Sequence, residues 1–168
     1  EFGREEFETA RTEIGELVYR LKYKQDEFAK MEIAETVCSF LKGEWAIATS
    51  IDLIVSTPPS NINRSSQPVD AVVRSVSELL KVPYSAEALT KIRNAPELKN
   101  MHSYNERIQV LRGAISAAPD ILRGRTVLLM DDLYRSGATA EAATLAAFRG
   151  GKATAVCFLA LTRTRSRR

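Results

Sequence analysis

The stretch LLMDDLYRSGATAEA, residues 128–142, sets two adjacent carboxylates, Asp131 and Asp132, at the end of an apolar run and follows them with a small, hydroxyl-bearing turn. That turn, Arg135, Ser136, Gly137, Ala138 and Thr139, offers backbone N–H groups, a glycine free of φ restriction, side-chain hydroxyls and the start of a helix whose dipole favours an anion. This is the chemistry of a phosphate cradle. A carboxylate repels phosphate, so the acidic pair must address another part of the same ligand, where hydroxyls, or a metal shared with them, would suit. A ribose 5-phosphate, with an anion at one end and a vicinal diol at the other, meets both requirements. Two consecutive acids at a strand end are by themselves more often a helix cap or a solvated corner; here the adjoining RSGAT turn favours a site.

Such a site needs elements that hold it. TVLLMDD reads as a strand buried on both faces, ATAEAATLAAF as an alanine-rich helix ended by Gly150 and Gly151, and ATAVCFLAL as a second buried strand. The order β-turn-α-β predicts a parallel unit, and in parallel sheets ligands bind at the carboxyl ends of the strands, where Asp131 and Asp132 emerge. Upstream, Ile51 to Val55 reads as a strand stopped by Pro58 and Pro59, followed by a helical face of Val69, Val72, Val73, Val76, Leu79 and Leu80. Two amphipathic helices precede it, over residues 5–24 (Phe7, Ala10, Ile14, Leu17, Val18, Leu21) and 27–42 (Met31, Ala34, Val37, Cys38, Leu41). From Val82 to Gly113 the periodicity fades and Pro96 interrupts, which predicts a functional loop or flexible lid.

The fold class expected is therefore α/β: one domain over 1–168, with N-terminal helices at 5–42, a core at 51–161 built on a twisted, mainly parallel sheet flanked by helices, and a basic tail at 162–168. A chain of 168 residues buries one substantial core, and 45% hydrophobic with 27% charged residues is the balance of a globular protein. No apolar run approaches the ~20 residues of a membrane span, and no secretory leader opens the chain, so no membrane is expected and the location expected is cytoplasmic. Residues 1 and 2 of EFGREE read as a cloning scar or the stub of a longer chain. Cys38, Cys157 and His102 are too few and too scattered for a disulfide framework or a zinc site, and both cysteines read as core residues. The net charge of +3 is a tail effect: RTRSRR holds four arginines, and the other residues hold 20 basic and 21 acidic groups. That disfavours a whole-surface nucleic-acid footprint and leaves only a weak role for the tail.

VLLMDDLYRSGAT, Val127 to Thr139, resembles the 13-residue signature of type I phosphoribosyltransferases, which bind phosphoribosyl pyrophosphate (PRPP). LVYRLKYKQD at 17–26, Tyr134, the ending LALTRTRS, PPS…R…QPV between Pro58 and Val69, and ER…LRGA around Arg107 resemble the ComF-like branch of that family. The resemblance implies the type I phosphoribosyltransferase fold and a glycosyltransferase of the pentosyl type, moving the phosphoribosyl group of PRPP to a nitrogenous base with release of pyrophosphate. It implies that Asp131 and Asp132 hold the ribose diol together with Mg²⁺, and that Arg135, Ser136, Gly137, Ala138 and Thr139 hold the 5′-phosphate. Ser60 and Arg64 would contact the pyrophosphate, and Arg107 with Arg112 would act as lid cations. Lys22 and Lys24 fit a helix end as well as a pyrophosphate site, and Tyr134 fits core packing or stacking near a base. Three positions depart from the pattern. Arg135 stands where 6-oxopurine enzymes carry an Asp, the ComF RGFNQ reads RSSQP, and Val110 replaces an expected Asn. The alternative implied is a non-catalytic PRPP-binding regulator or a ComF-like accessory of DNA uptake. The acceptor is not legible, and a homodimer is left open.

Overall fold

The computed structural model of the chain describes residues 11–59, 68–92 and 113–164. The core of the expected lid, 93–112, and the tail end, 165–168, lie outside them. In chain order the elements are α1 (Glu13–Lys24), α2 (Glu27–Lys42), a 3₁₀ turn (Ala48–Ser50), β1 (Leu53–Ser56), α3 (Pro68–Leu80), β2 (Leu89–Lys91) and β3 (Ile115–Ala117), then the short α4 (Pro119–Leu122), β4 (Thr126–Tyr134), α5 (Ala138–Arg149) and β5 (Ala155–Arg163).

The opening helices start and stop where local chemistry dictates. Thr12 caps α1, accepting from the Gly15 amide at 3.2 Å. Gln25 ends it in the left-handed region at φ 52°. Asp26 then caps α2: one oxygen accepts from the Phe28 and Ala29 amides at 3.0 and 3.1 Å, while the other takes the Arg20 guanidinium at 2.9 and 2.6 Å. The Arg20 guanidinium, with the backbone amides, holds the Asp26 carboxyl below the usual carboxylate range. The α1–α2 angle is thus set by one carboxylate.

β1, β4 and β5 form a parallel sheet in the order β1-β4-β5, with Leu53 opposite Val127 and Val127 opposite Val156. Strand alternation divides the central strand between two cores. Leu128 and Met130 face α1, α2 and α3, joining Ile33, Ile54, Val72 and Leu161. Val127 and Leu129 face the other way, joining Leu53, Val55, Leu122, Ala143 and Ala147. Because both faces are covered, β4 carries no apolar/polar alternation from Val127 to Met130, as its sequence predicts. The alanines of α5 let it lie close, and Gly151 is demanded by contact: a Cβ there would stand 2.4 Å from Leu122 Cδ1 and 2.7 Å from the Ala147 carbonyl.

The expected strands and helices form among the described residues, with shifts: the first helix begins at Glu13, after its Thr12 cap, rather than at residue 5, and Phe7 and Ala10 lie outside the described residues. β1 begins at Leu53 rather than Ile51, and β4 runs two residues past the acidic pair. Met31 and Leu79, counted by spacing into their helices' apolar faces, are exposed. β2 and β3 pair antiparallel, Thr90 opposite Ser116, as a ribbon against the α5 face. Its first strand lies in the stretch of fading periodicity, because three residues are too few to register an alternation. Cys38 is buried and Cys157 half-buried, and burial pushes both thiols up, which keeps them unreactive.

At the carboxyl end of β1 one carboxylate ties three elements together. Asp70 of α3 accepts from the Ser56 hydroxyl at 3.1 Å, from the Tyr84 hydroxyl, and from Arg74 Nε at 3.0 Å. Tyr84 lies beside Ile54 in a parallel bridge, with Arg74 stacked 4.8 Å over its ring. Among the described residues, Asp70→Ala leaves two half-buried hydroxyls with only each other, 3.3 Å apart, and is expected to cost about 1–3 kcal/mol in urea denaturation. Arg74→Ala, which removes a solvent-facing arm, is expected to cost under about 1 kcal/mol; equal losses would show that the ion pair, not the hydroxyl network, holds this corner.

Candidate functional site

The site lies at the carboxyl end of β4, the middle strand. Since β4 stays extended through Tyr134, its two acids alternate like any strand neighbours. Asp131 follows Val127 and Leu129 to the α5 face. Asp132 follows Leu128 and Met130 to the α1 face, where it forms an ion pair with Lys22. The side chains of that pair are only 20% (Lys22) and 22% (Asp132) exposed, so it is shielded more than an ordinary surface pair.

Asp131 is held from several sides. It accepts from the Asp132 amide at 2.8 Å, from the Thr57 hydroxyl and from the Leu133 amide. Thr57 is itself fixed to the strand, its amide donating to the Met130 carbonyl at 2.9 Å. Burial nevertheless dominates and pushes the Asp131 carboxyl above the usual range, opposed by the Thr57 hydroxyl, the charge of Lys22 and the Leu133 amide. Across the sheet, the Thr162 hydroxyl donates to the Asp132 carbonyl at 2.6 Å, clamping the end of β5 to it.

Beyond Tyr134 the chain turns through Arg135 and Ser136 into Gly137, at φ 84°, and α5 begins at Ala138. Gly137 is required twice: its φ suits only glycine, and a Cβ would stand 2.5 Å from the Tyr134 hydroxyl. No side chain caps this helix, and its first internal bond runs from the Glu141 amide to the Gly137 carbonyl, so the preceding amides are free of intrahelical partners. They line a cleft of about 100 Å³ together with Asp131, Tyr134 and Phe158. The structure thus brings together Asp131, Arg135, Ser136, Gly137, Ala138 and Thr139. Asp132 does not line that cleft. Ser60, Arg64, Arg107, Arg112 and His102 lie outside the described residues.

A cleft of this size takes one tetrahedral anion against bare amides, with a carboxylate at its edge for hydroxyl or cation contact. Among the described residues no three His, Cys, Asp or Glu converge as a resident metal site. A lone carboxylate fits Mg²⁺ that arrives mostly coordinated by ligand oxygens and water, the usual state of that ion at phosphate sites. Sequence reasoning missed Thr57 as the partner of Asp131 and the pairing of Lys22 with Asp132. The first left a trace as a hydroxyl directly after a strand; the second spans 110 positions and left none in spacing.

No protein-family model matches this sequence, and no curated protein sequence matches it. Solved structures do. Adenine phosphoribosyltransferase from Saccharomyces cerevisiae superposes with a TM-score of 0.56 at 16% identity, covering 86% of this chain and 73% of that one. Adenine phosphoribosyltransferase from Thermoanaerobacter pseudethanolicus gives 0.51 at 16% identity, covering 84% of each chain. Glutamine PRPP amidotransferase from B. subtilis gives 0.52 at 21% identity over 78% of this chain; the present chain spans 26% of that longer protein. The fold is that of the type I phosphoribosyltransferases. In it, the turn of residues 135–139 and the Asp131 carboxylate occupy the end of the central parallel strand.

The two acids have separable effects. Because burial raises the Asp131 pKa, its contribution to stability is full only below the ordinary carboxylate range and is lost as pH rises through the raised folded value. Asp131→Asn is therefore expected to raise the melting temperature at neutral pH, with the gain vanishing below about pH 4. Asp132→Asn and Lys22→Ala are each expected to lower stability by about 1–2 kcal/mol, and the double variant by less than their sum. Additive losses in denaturant titrations would remove the coupling.

Proposed function

We propose that the chain is a PRPP-dependent phosphoribosyltransferase that transfers the phosphoribosyl group to a nitrogenous base and releases pyrophosphate. The observation that supports it most is the juxtaposition of a half-buried carboxylate, Asp131, with an uncapped, glycine-led helix start in one cleft at the end of the central strand. Residues 135–139 would take the 5′-phosphate and Asp131 the ribose hydroxyls. Asp132, held by Lys22, would support the sugar from behind by fixing the strand end. Ser60 and Arg64, in the segment after β1, and Arg107 would face the departing pyrophosphate. The chain would act as one domain in the cytoplasm.

In this reading the nitrogen of the base attacks C1′ as the C1′–O bond to pyrophosphate breaks, and positive charge develops on the ribose ring. The protein's work is to hold the sugar in line and to stabilise the anion that leaves, with no protein nucleophile. Mg²⁺, when bound, would neutralise charge on the pyrophosphate oxygens with Asp131 as its protein contact. The solved relatives named for adenine make a nitrogenous base the acceptor class of first choice.

A second reading is a PRPP-binding regulator or ComF-like accessory without turnover. It is favoured by the engagement of Asp132 with Lys22, which leaves Asp131 as the one carboxylate of the cleft among the described residues, and by the residues at 17–26 and Tyr134. One assay separates them: PRPP, Mg²⁺ and a panel of nucleobases, followed by pyrophosphate release and by calorimetry. The enzyme reading expects release with at least one base, and Asp131→Asn should weaken PRPP binding about tenfold or more while stabilising the fold. Binding without release supports the regulator. Absence of PRPP binding overturns both.

A further inference from the structure

Tyr134 closes β4, and its ring is fixed in place. Phe158 meets it edge-on with centroids 6.4 Å apart, and the Arg163 guanidinium lies 5.8 Å from the ring centre. From there the side chain folds back over the turn that follows it, so near that a Cβ on Gly137 would stand 2.5 Å from its hydroxyl oxygen and 3.1 Å from Cζ. It lines the same cleft as Ser136 and Thr139. Among the described residues the ring makes these contacts and the hydroxyl makes no hydrogen bond. Tyr134 is half-buried, so its packed ring holds the hydroxyl at the cleft wall as a donor to whatever occupies the cleft.

We propose that the Tyr134 hydroxyl is a phosphate ligand, a side-chain donor that completes the anion cradle of residues 135–139 for a phosphate monoester. The inference rests on the reading of this cleft as a sugar-phosphate site and adds a residue to it. Each of the other donors there is a backbone amide or a short or mobile side chain. Tyr134 is a rigid one, since Phe158, Arg163 and Gly137 confine its ring before any ligand arrives, so little rotamer freedom is lost on binding. Gly137 acquires a second purpose on this view. Its missing Cβ leaves room for the hydroxyl beside the free amides of α5, so that both donors can address one phosphate oxygen set.

The test is Tyr134→Phe in the full chain, which removes the hydroxyl and keeps the ring against its neighbours. Calorimetry with ribose 5-phosphate and with inorganic phosphate is expected to show both binding about tenfold more weakly, by similar factors, at an unchanged melting temperature. Similar factors matter because inorganic phosphate has no sugar, so a shared loss locates the contact on the phosphate. Unchanged or tighter binding by the variant overturns the assignment and leaves the cradle standing. A loss confined to ribose 5-phosphate also overturns it, by moving the contact to the sugar. Failure of the wild-type chain to bind either probe overturns the cradle and this inference together.

Discussion

Consecutive residues of an extended strand point to opposite faces, and this constraint separates the two acids of β4. Had the strand broken at Met130, both acids could have turned toward one ligand. Hydrogen bonding to β5 instead continues to Tyr134, opposite Arg163, so the two charges part company. Each then meets a different electrostatic problem in a half-buried setting. Asp131 is solved by hydroxyl and amide donors, incompletely, so its proton affinity stays high. Asp132 is solved by a full opposite charge on another element.

That opposite charge explains why the helix pair belongs to the site although its residues lie a hundred positions away. Lys22 is in the last turn of α1, and the position of that turn is not free. Gln25 ends the helix in the left-handed region, and Asp26 locks Arg20 on one side while capping α2 on the other. Displacing α2 would therefore shift Lys22. Ile33 and Leu41 of α2, both fully buried beside Leu128 and Met130, hold that register with the apolar core. The strand end is thus fixed from below by packing and from the side by an ion pair, while its α5 face stays open.

Much of this was legible beforehand because it depends on local rules. A continuous apolar run at 126–130 reads as a doubly covered strand and an alanine-rich stretch after a glycine turn reads as a close-packed helix, and both formed, with the RSGAT turn between them leading into the helix start. What escaped needed distances between remote residues. The extension of β4 by Leu133 and Tyr134 depends on pairing with β5, and Leu133, 38% exposed, gives no burial signal of its own. The β2–β3 ribbon depends on contact with α5 and Leu122, not on any pattern within three residues. The Lys22 partnership follows from where two helices dock.

The open face is where local stability has been left incomplete, and the omissions coincide. α5 lacks a side-chain cap at its start, although Ser, Thr, Asp or Asn there would be worth about 1 kcal/mol. Asp131 stays half-buried with its charge only partly met, and the turn between them adopts a backbone that glycine alone accepts easily. Each feature alone has a structural explanation of its own. Together, within about 100 Å³, they supply donors without acceptors on one wall and an acceptor short of donors on the other. A molecule carrying an anion at one end and hydroxyls at the other would satisfy both walls at once. Local rules broken without compensation inside the protein are the expected mark of a functional site.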